Sequence, residues 1–217
     1  LMLPFLMEDI ESLPNDLVHY KQTVQELVAI SPEQRGVAYL TIDEKFVKTG
    51  ESHRLKGLHI DGYGTDGRNE PGIWARNGLV AFLREHWDEA NQKWFYGAAG
   101  IGGMITVANP AGCRAWYKDF EGAIGRNGDC ENLREQFPDS EGTVFQPNMA
   151  YWCNASCVHE SLPMSNDIKR TFVRLSMPSK APWYAGYTKN PKGILPTGTV
   201  VHSTYYRSGE PEVILKG

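Results

Sequence analysis

The chain has 217 residues, of which 41% are hydrophobic and 22% charged, with a net charge of -4 and a pI near 5.9. That length suits one domain with a sizeable core. The acidic balance argues against a dedicated nucleic-acid binder. The four cysteines, Cys113, Cys130, Cys153 and Cys157, are too sparse for a disulfide scaffold, so reduced thiols and a cytoplasmic setting are expected. No apolar run approaches the roughly 18 residues that would cross a bilayer. Leu1 to Met7 is apolar but short, without the basic start and small-residue cleavage site of a signal peptide.

Three stretches are expected along one domain: an arm and helix over 1–35, a β core over 36–178, and an extension over 179–217. After the arm, Asn15 or Asp16 is placed to cap a helix running to about Ile30, with Leu17, Tyr20, Val24, Leu27 and Val28 as its apolar stripe. Ser31-Pro32 stops it. Gly36 to Ile42 is rich in β-branched and aromatic residues and reads as a strand, with Tyr39 and Thr41 on one face.

Gly57-Leu58-His59-Ile60-Asp61-Gly62 reads as a second strand, and residues 62–72 as a glycine-rich loop placed to act as a lid. Residues 78–93 carry a helical pattern through Val80, Leu83 and Trp87. Ile101 to Val107, Ala115 to Tyr117, Gly142 to Pro147, Met149 to His159 and Arg170 to Met177 read as strands. A helical turn is expected over Glu131 to Phe137. Beyond Pro178 the chain is rich in Pro, Gly and Tyr, with one strand signal within Thr197 to Tyr206. Many short strands separated by turn signals indicate a mainly β sandwich or barrel with a few bracing helices.

Within the second strand, alternation puts His59 and Asp61 on the same side. An imidazole and a carboxylate so placed form half of a metal site. A second His, about a hundred residues on, is His159, and fifteen residues later comes Arg174-Leu175-Ser176. Two His and one carboxylate on one face of a metal suit non-haem Fe(II). An Arg with a hydroxyl two residues on suits a carboxylate clamp. His202 is the strongest rival ligand but lacks a following Arg-X-Ser. Cys153, Cys157 and His159 invite a zinc reading, but their spacing is not that of a usual finger.

The ordered set His59, Asp61, His159, Arg174 and Ser176 resembles the Fe(II)/2-oxoglutarate-dependent oxygenase superfamily. The resemblance implies a double-stranded β-helix, a jelly-roll or cupin-like core. It implies Fe(II) held by His59, Asp61 and His159, and 2-oxoglutarate as cosubstrate, its far carboxylate meeting Arg174 and Ser176, with Tyr39 lining that pocket. It further implies O2 as oxidant, release of succinate and CO2, and usually hydroxylation of a small-molecule substrate. Halogenating members replace the carboxylate with a small residue, so Asp61 favours hydroxylation. Trp74, Arg76, Trp116, Tyr117 and Arg170 are candidate substrate contacts. A cupin-like metal protein that does not use 2-oxoglutarate and a metal-free β-sandwich binding protein are the competing expectations. Arg174 and the metal content separate them.

Overall fold

The computed structural model describes residues 1–54, 56–60, 79–82, 103–118, 120, 122, 129–154, 157–178, 183–184, 186–197, 200–203 and 213–215. The fold is mainly β, built on antiparallel sheets. The larger sheet has six strands in the order β1 (Met2–Leu6), β2 (Val37–Val47), β9 (Ile168–Ser176), β4 (Gly103–Asn109), β7 (Ala150–Asn154) and β3 (Leu79–Phe82). A smaller sheet runs β6 (Thr143–Val144), β5 (Cys113–Ala115) and β8 (His159–Ser161). A third, near the C-terminus, joins β10 (Trp183–Tyr184), β11 (Val200–Ser203) and β12 (Val213–Leu215).

The larger sheet has two unlike faces, and the alternation of its strands sets both. On one face Leu3, Phe5, Ala38, Leu40, Ile42, Ile105, Trp152, Val173 and Leu175 form a single buried cluster with Leu13, Leu17, Val24 and Leu27. The last three belong to the helical layer, a 3-10 segment at Asn15–Tyr20 running into α1 (Lys21–Ile30). The helix therefore ends at Ile30, as the Ser-Pro stop requires. It starts differently, since Asn15 and Asp16 lie inside the 3-10 segment and its N-cap position is Pro14, with no side-chain cap. The apolar start of the chain is an edge strand, because pairing with β2 through Leu3–Leu40 and Phe5–Ala38 buries its alternate side chains.

On the opposite face the register aligns Tyr39, Ser176 and Met104 in one row, and Thr41, Arg174 and Thr106 in the next. Met104, Tyr151 and Cys153 of this face form one cluster with Cys113, Ala115, Phe145 and Cys157. The second face thus looks across an interior onto the smaller sheet, with β5 opposite. The far side of the smaller sheet carries its own cluster, where Leu58, Ile60, Trp116 and Val158 meet Phe120, Leu133 and Phe137. A 3-10 segment at Glu131–Gln136 caps that side, within the stretch where a helical turn is expected.

Several expectations fail. The segment carrying His59, expected to be a strand, makes only isolated bridges at His59 over its described residues 57–60. Leu79–Phe82, within the stretch expected to be helical, pairs antiparallel with β7 from Leu79–Cys153 to Phe82–Ala150. A short run rich in β-formers can satisfy its backbone on an open sheet edge, and that pairing overrides a helical period. The remainder of the expected helix, like the 62–72 loop, Trp74 and Arg76, lies outside the described residues. The stretch from Met149 to His159 is not one strand: β7 belongs to the larger sheet and β8 to the smaller. The chain changes sheets between them, so Cys153 and His159 do not share one strand face. Among the described residues no helix is long and apolar enough to cross a membrane.

Candidate metal centre

His59 and His159 meet directly. Their backbones form an antiparallel bridge, with each N–H donating to the other's carbonyl at 3.0 Å. Their ring centroids are 4.2 Å apart. Residues opposite one another in a bridge put their side chains on the same face. His159 is also opposite Ala115 in β5, which packs into the interior cluster. Both imidazoles therefore point to the interior side of the smaller sheet, toward the larger one.

Each ring is oriented by its own backbone. His59 Nδ1 lies 2.8 Å from the Gly57 carbonyl, and His159 Nδ1 lies 2.9 Å from the Cys157 carbonyl. A carbonyl only accepts, so each Nδ1 carries a proton and Nε2 is the ring nitrogen turned away from that contact. A backbone carbonyl on the far nitrogen is the arrangement that fixes tautomer and ring direction in metal-ligating histidines. The donor chemistry of the pair fits a divalent transition ion. Asp61, the third expected ligand, lies outside the described residues. Among those described, no group of three His, Cys, Asp or Glu side chains gathers to hold a metal.

Gly57 makes the first of these contacts possible. Its φ is +85°, a region that glycine enters without penalty, and a Cβ there would meet Glu131 Oε1 at 2.8 Å. Glu131 holds the segment from outside: the Leu58 N–H donates to Oε1 at 2.7 Å, and Arg134 donates to both carboxylate oxygens. The hydrogen bonds from Arg134 hold the Glu131 carboxyl below its ordinary range, outweighing its partial burial. Arg134 Nη1 also donates to Glu160 at 2.9 Å, and Arg114 donates to the other Glu160 oxygen at 3.2 Å. This chain of charged hydrogen bonds ties the His59 segment to the residue following His159.

The residues expected to clamp a carboxylate, Arg174 and Ser176, share a face with their neighbours by register. Tyr39, Thr41, Thr106, Arg174 and Ser176 occupy adjacent positions of the interior face, with Arg174 Nη1 directed at Met104 Sδ at 3.9 Å. Met104 in turn packs with Ala115, the residue opposite His159. Trp116 lies elsewhere. It is fully buried on the far side of the smaller sheet, packs on Phe137, and its Nε1–H donates to the Pro138 carbonyl at 2.9 Å. Tyr117 is exposed, and His202 sits in β11 of the third sheet.

A polar cluster around the buried His53 lies outside the residues that the sequence singles out. Further along the same face, Asp43 is opposite Phe172, and His53 Nε2 approaches its carboxylate to 3.2 Å, a close contact without hydrogen-bond alignment. Arg54 donates to the same Asp43 oxygen at 3.2 Å. Burial pushes the His53 pKa down more than Asp43 pulls it up, so the ring is held neutral. Burial pushes Asp43 up, but His53 and Arg54 outweigh it and the carboxyl titrates below its ordinary value. The alternation that puts Asp43 on the face of Tyr39 and Thr41 is its only signal in the sequence.

No family model matches the chain, and no curated protein matches it.

Proposed function

We propose that the chain is a non-haem Fe(II)- and 2-oxoglutarate-dependent oxygenase with a double-stranded β-helix core, hydroxylating a small molecule. The observation that carries the reading is the facing pair His59 and His159, each with Nδ1–H committed to a backbone carbonyl. The alternation of the chain between two facing sheets supports the architecture. From β2 in the larger sheet it passes to the His59 bridge on the smaller, to β3 and β4 in the larger, to β5 and β6 in the smaller, to β7 in the larger, to β8 in the smaller and back to β9 in the larger.

When bound, the iron would supply the redox chemistry that couples oxidative decarboxylation of 2-oxoglutarate to oxidation of the substrate. His59 and His159 would hold it through Nε2, with Asp61 as the carboxylate that completes the facial set. Arg174 would hold the far carboxylate of 2-oxoglutarate, with Ser176 and Tyr39 beside it as hydroxyl donors. The interior-facing positions of His59, His159, Tyr39, Arg174 and Ser176 matter, because a water-poor setting strengthens each charged contact.

The test is Fe(II) binding under anaerobic conditions to the parent chain and four variants. The parent should bind about one equivalent of Fe(II). His59→Ala, His159→Ala and Asp61→Ala should lose it, while Arg174→Ala should keep the metal and lose 2-oxoglutarate. Metal binding unchanged in the His variants contradicts the reading. Metal binding with a silent Arg174→Ala leaves a cupin-like protein that does not use 2-oxoglutarate.

A further inference from the structure

The peptide between Gly57 and Leu58 is gripped at both edges. Its carbonyl lies 2.8 Å from His59 Nδ1, and its N–H donates to Glu131 Oε1 at 2.7 Å. A trans peptide is planar, with its carbonyl and its N–H on opposite edges. The two contacts therefore share one rigid plate. An acceptor that fixes the N–H also fixes the direction in which the carbonyl meets the imidazole.

The acceptor is needed because the His59 segment is not a strand. His59 spends its own N–H and carbonyl on His159, and the Leu58 carbonyl accepts from the Cys130 N–H at 2.8 Å. Leu58 is buried, and a buried N–H has to be paired. The Glu131 carboxylate stands where the carbonyl of a neighbouring strand otherwise would. Gly57 lets it come this close, since a Cβ there would meet Oε1 at 2.8 Å.

Glu131 is itself held in place. Its backbone N–H donates to Asp129 Oδ1 at 2.8 Å, and Arg134 donates to its two carboxylate oxygens at 2.6 and 3.1 Å. The side chains of this ion pair are 47% and 38% exposed, so it adds little to stability as a pair. Its effect lies in what the carboxylate touches.

We propose that Glu131 is a positioning residue for His59, acting through the peptide between Gly57 and Leu58. The carboxylate fixes the plane of that peptide and polarises it, because an N–H bonded to an anion makes its own carbonyl a stronger acceptor. The carbonyl then holds the His59 Nδ1–H more firmly and raises the basicity of the other ring nitrogen. A carboxylate often acts on a metal-bound histidine directly. Here one peptide stands between them. The consequence for metal binding rests on the oxygenase reading above, whereas the orientation of the ring does not.

The experiment is NMR on the isotopically labelled, metal-free full chain, following hydrogen exchange at His59 Nδ1 at fixed pH. In Glu131→Ala the Nδ1–H should exchange about tenfold faster or more, the scale of one hydrogen bond to a charged group. Glu131→Gln keeps an acceptor for the Leu58 N–H without the charge, and should fall between Glu131→Ala and the parent. The control is Glu141→Ala, which removes another exposed ion pair, Lys118 to Glu141 at 2.7 Å, and should leave the exchange unchanged. Equal His59 exchange in the parent and Glu131→Ala overturns the proposal, as does an equal rise in Glu141→Ala. If Glu131→Ala does not fold, Glu131→Gln decides: faster exchange than the parent supports the proposal, and equal exchange overturns it.

Anaerobic Fe(II) affinity of the same chains separates this claim from the oxygenase reading. It should fall roughly tenfold or more in Glu131→Ala, as for other partners of metal-bound histidine. Faster His59 exchange in Glu131→Ala, with no Fe(II) bound by the parent, upholds the positioning role and sinks the oxygenase reading. A parent that binds Fe(II), with affinity undiminished in Glu131→Ala, overturns the positioning role.

Discussion

The two faces of the larger sheet are built on opposite rules. The helix-side face is an apolar cluster from Leu3 to Met177, closed by Leu17, Val24 and Leu27. Ser12, a buried hydroxyl beside it, is satisfied: Leu6 N–H donates to it at 2.8 Å and it donates back to the Leu6 carbonyl. On the interior face Thr41, Thr106 and Arg170, from three strands, each carry a buried donor that meets no acceptor among the described residues. A protein surrenders stability when it buries such groups unpaired. The contrast teaches that one face satisfies its buried polar groups within the chain, while the other, the face to which the proposed function assigns the ligand, leaves donors unpaired among the described residues.

Breaking the first face should give the largest effect. Phe5 is fully buried against the helical layer, and Phe5→Ala should cost about 3–5 kcal/mol in urea unfolding. It should leave Fe(II) affinity nearly unchanged in the fraction that is folded. The next effect belongs to the edge of the interior. Gly57→Ala meets both an unfavourable φ and Glu131, so it should displace the carbonyl that orients His59. The expected result is roughly a 10–100-fold loss of metal affinity, as for other second-layer partners of metal-bound histidine. Unchanged Fe(II) binding in Gly57→Ala would show that the carbonyl contact is incidental.

A smaller effect sharpens the comparison by its sign. Thr106→Val removes an unpartnered hydroxyl, so the ligand-free chain should hold or gain about 1 kcal/mol. Ser12→Ala removes a satisfied one and should lose about 1 kcal/mol. Equal losses at both positions in urea midpoints would erase the distinction between the faces.

The smallest effect is a pH dependence at His53. Its folded pKa is pushed below the ordinary value of 6.5 by burial. The unfolded chain therefore takes up a proton that the folded chain refuses, as pH falls from about 6.5 toward the lowered folded value. His53 leaves stability intact above that window and erodes it within the window. Urea midpoints taken from about pH 7.5 down to pH 5 should fall for the parent, and less steeply for His53→Gln. Parallel slopes would show that the ring titrates freely.

Much of the fold is legible in the sequence where the signal is local. The apolar stripe of the helix, the β-branched run at Val37, the alternation from Arg170 to Ser176 and the Ser-Pro stop each depend on near neighbours, and each is found in place. What escapes is set by distant partners. Leu79–Phe82 is a strand because the β7 edge receives it, and nothing within four residues says so. The chain switches sheets between Asn154 and His159, which no periodicity announces. At the candidate site, residue types and order pointed to His59 and His159, but their contact is made by a bridge between segments a hundred residues apart. Tyr39, Arg174 and Ser176 come together through strand register, while Trp116, chosen for its size, packs on the far side of the smaller sheet. The burial of Arg170 against Pro110 and Cys113, 60 and 57 residues away in sequence, could not be read from composition.

The central claim is that the facing histidines hold an iron that shares 2-oxoglutarate with the interior face. Its most direct test is an anaerobic titration with Fe(II) and 2-oxoglutarate, followed in the visible range. The account predicts a metal-to-ligand charge-transfer band that appears only when both are present and is absent in His159→Ala. Bound Fe(II) with no band on adding 2-oxoglutarate, or a band that survives in His159→Ala, would contradict it.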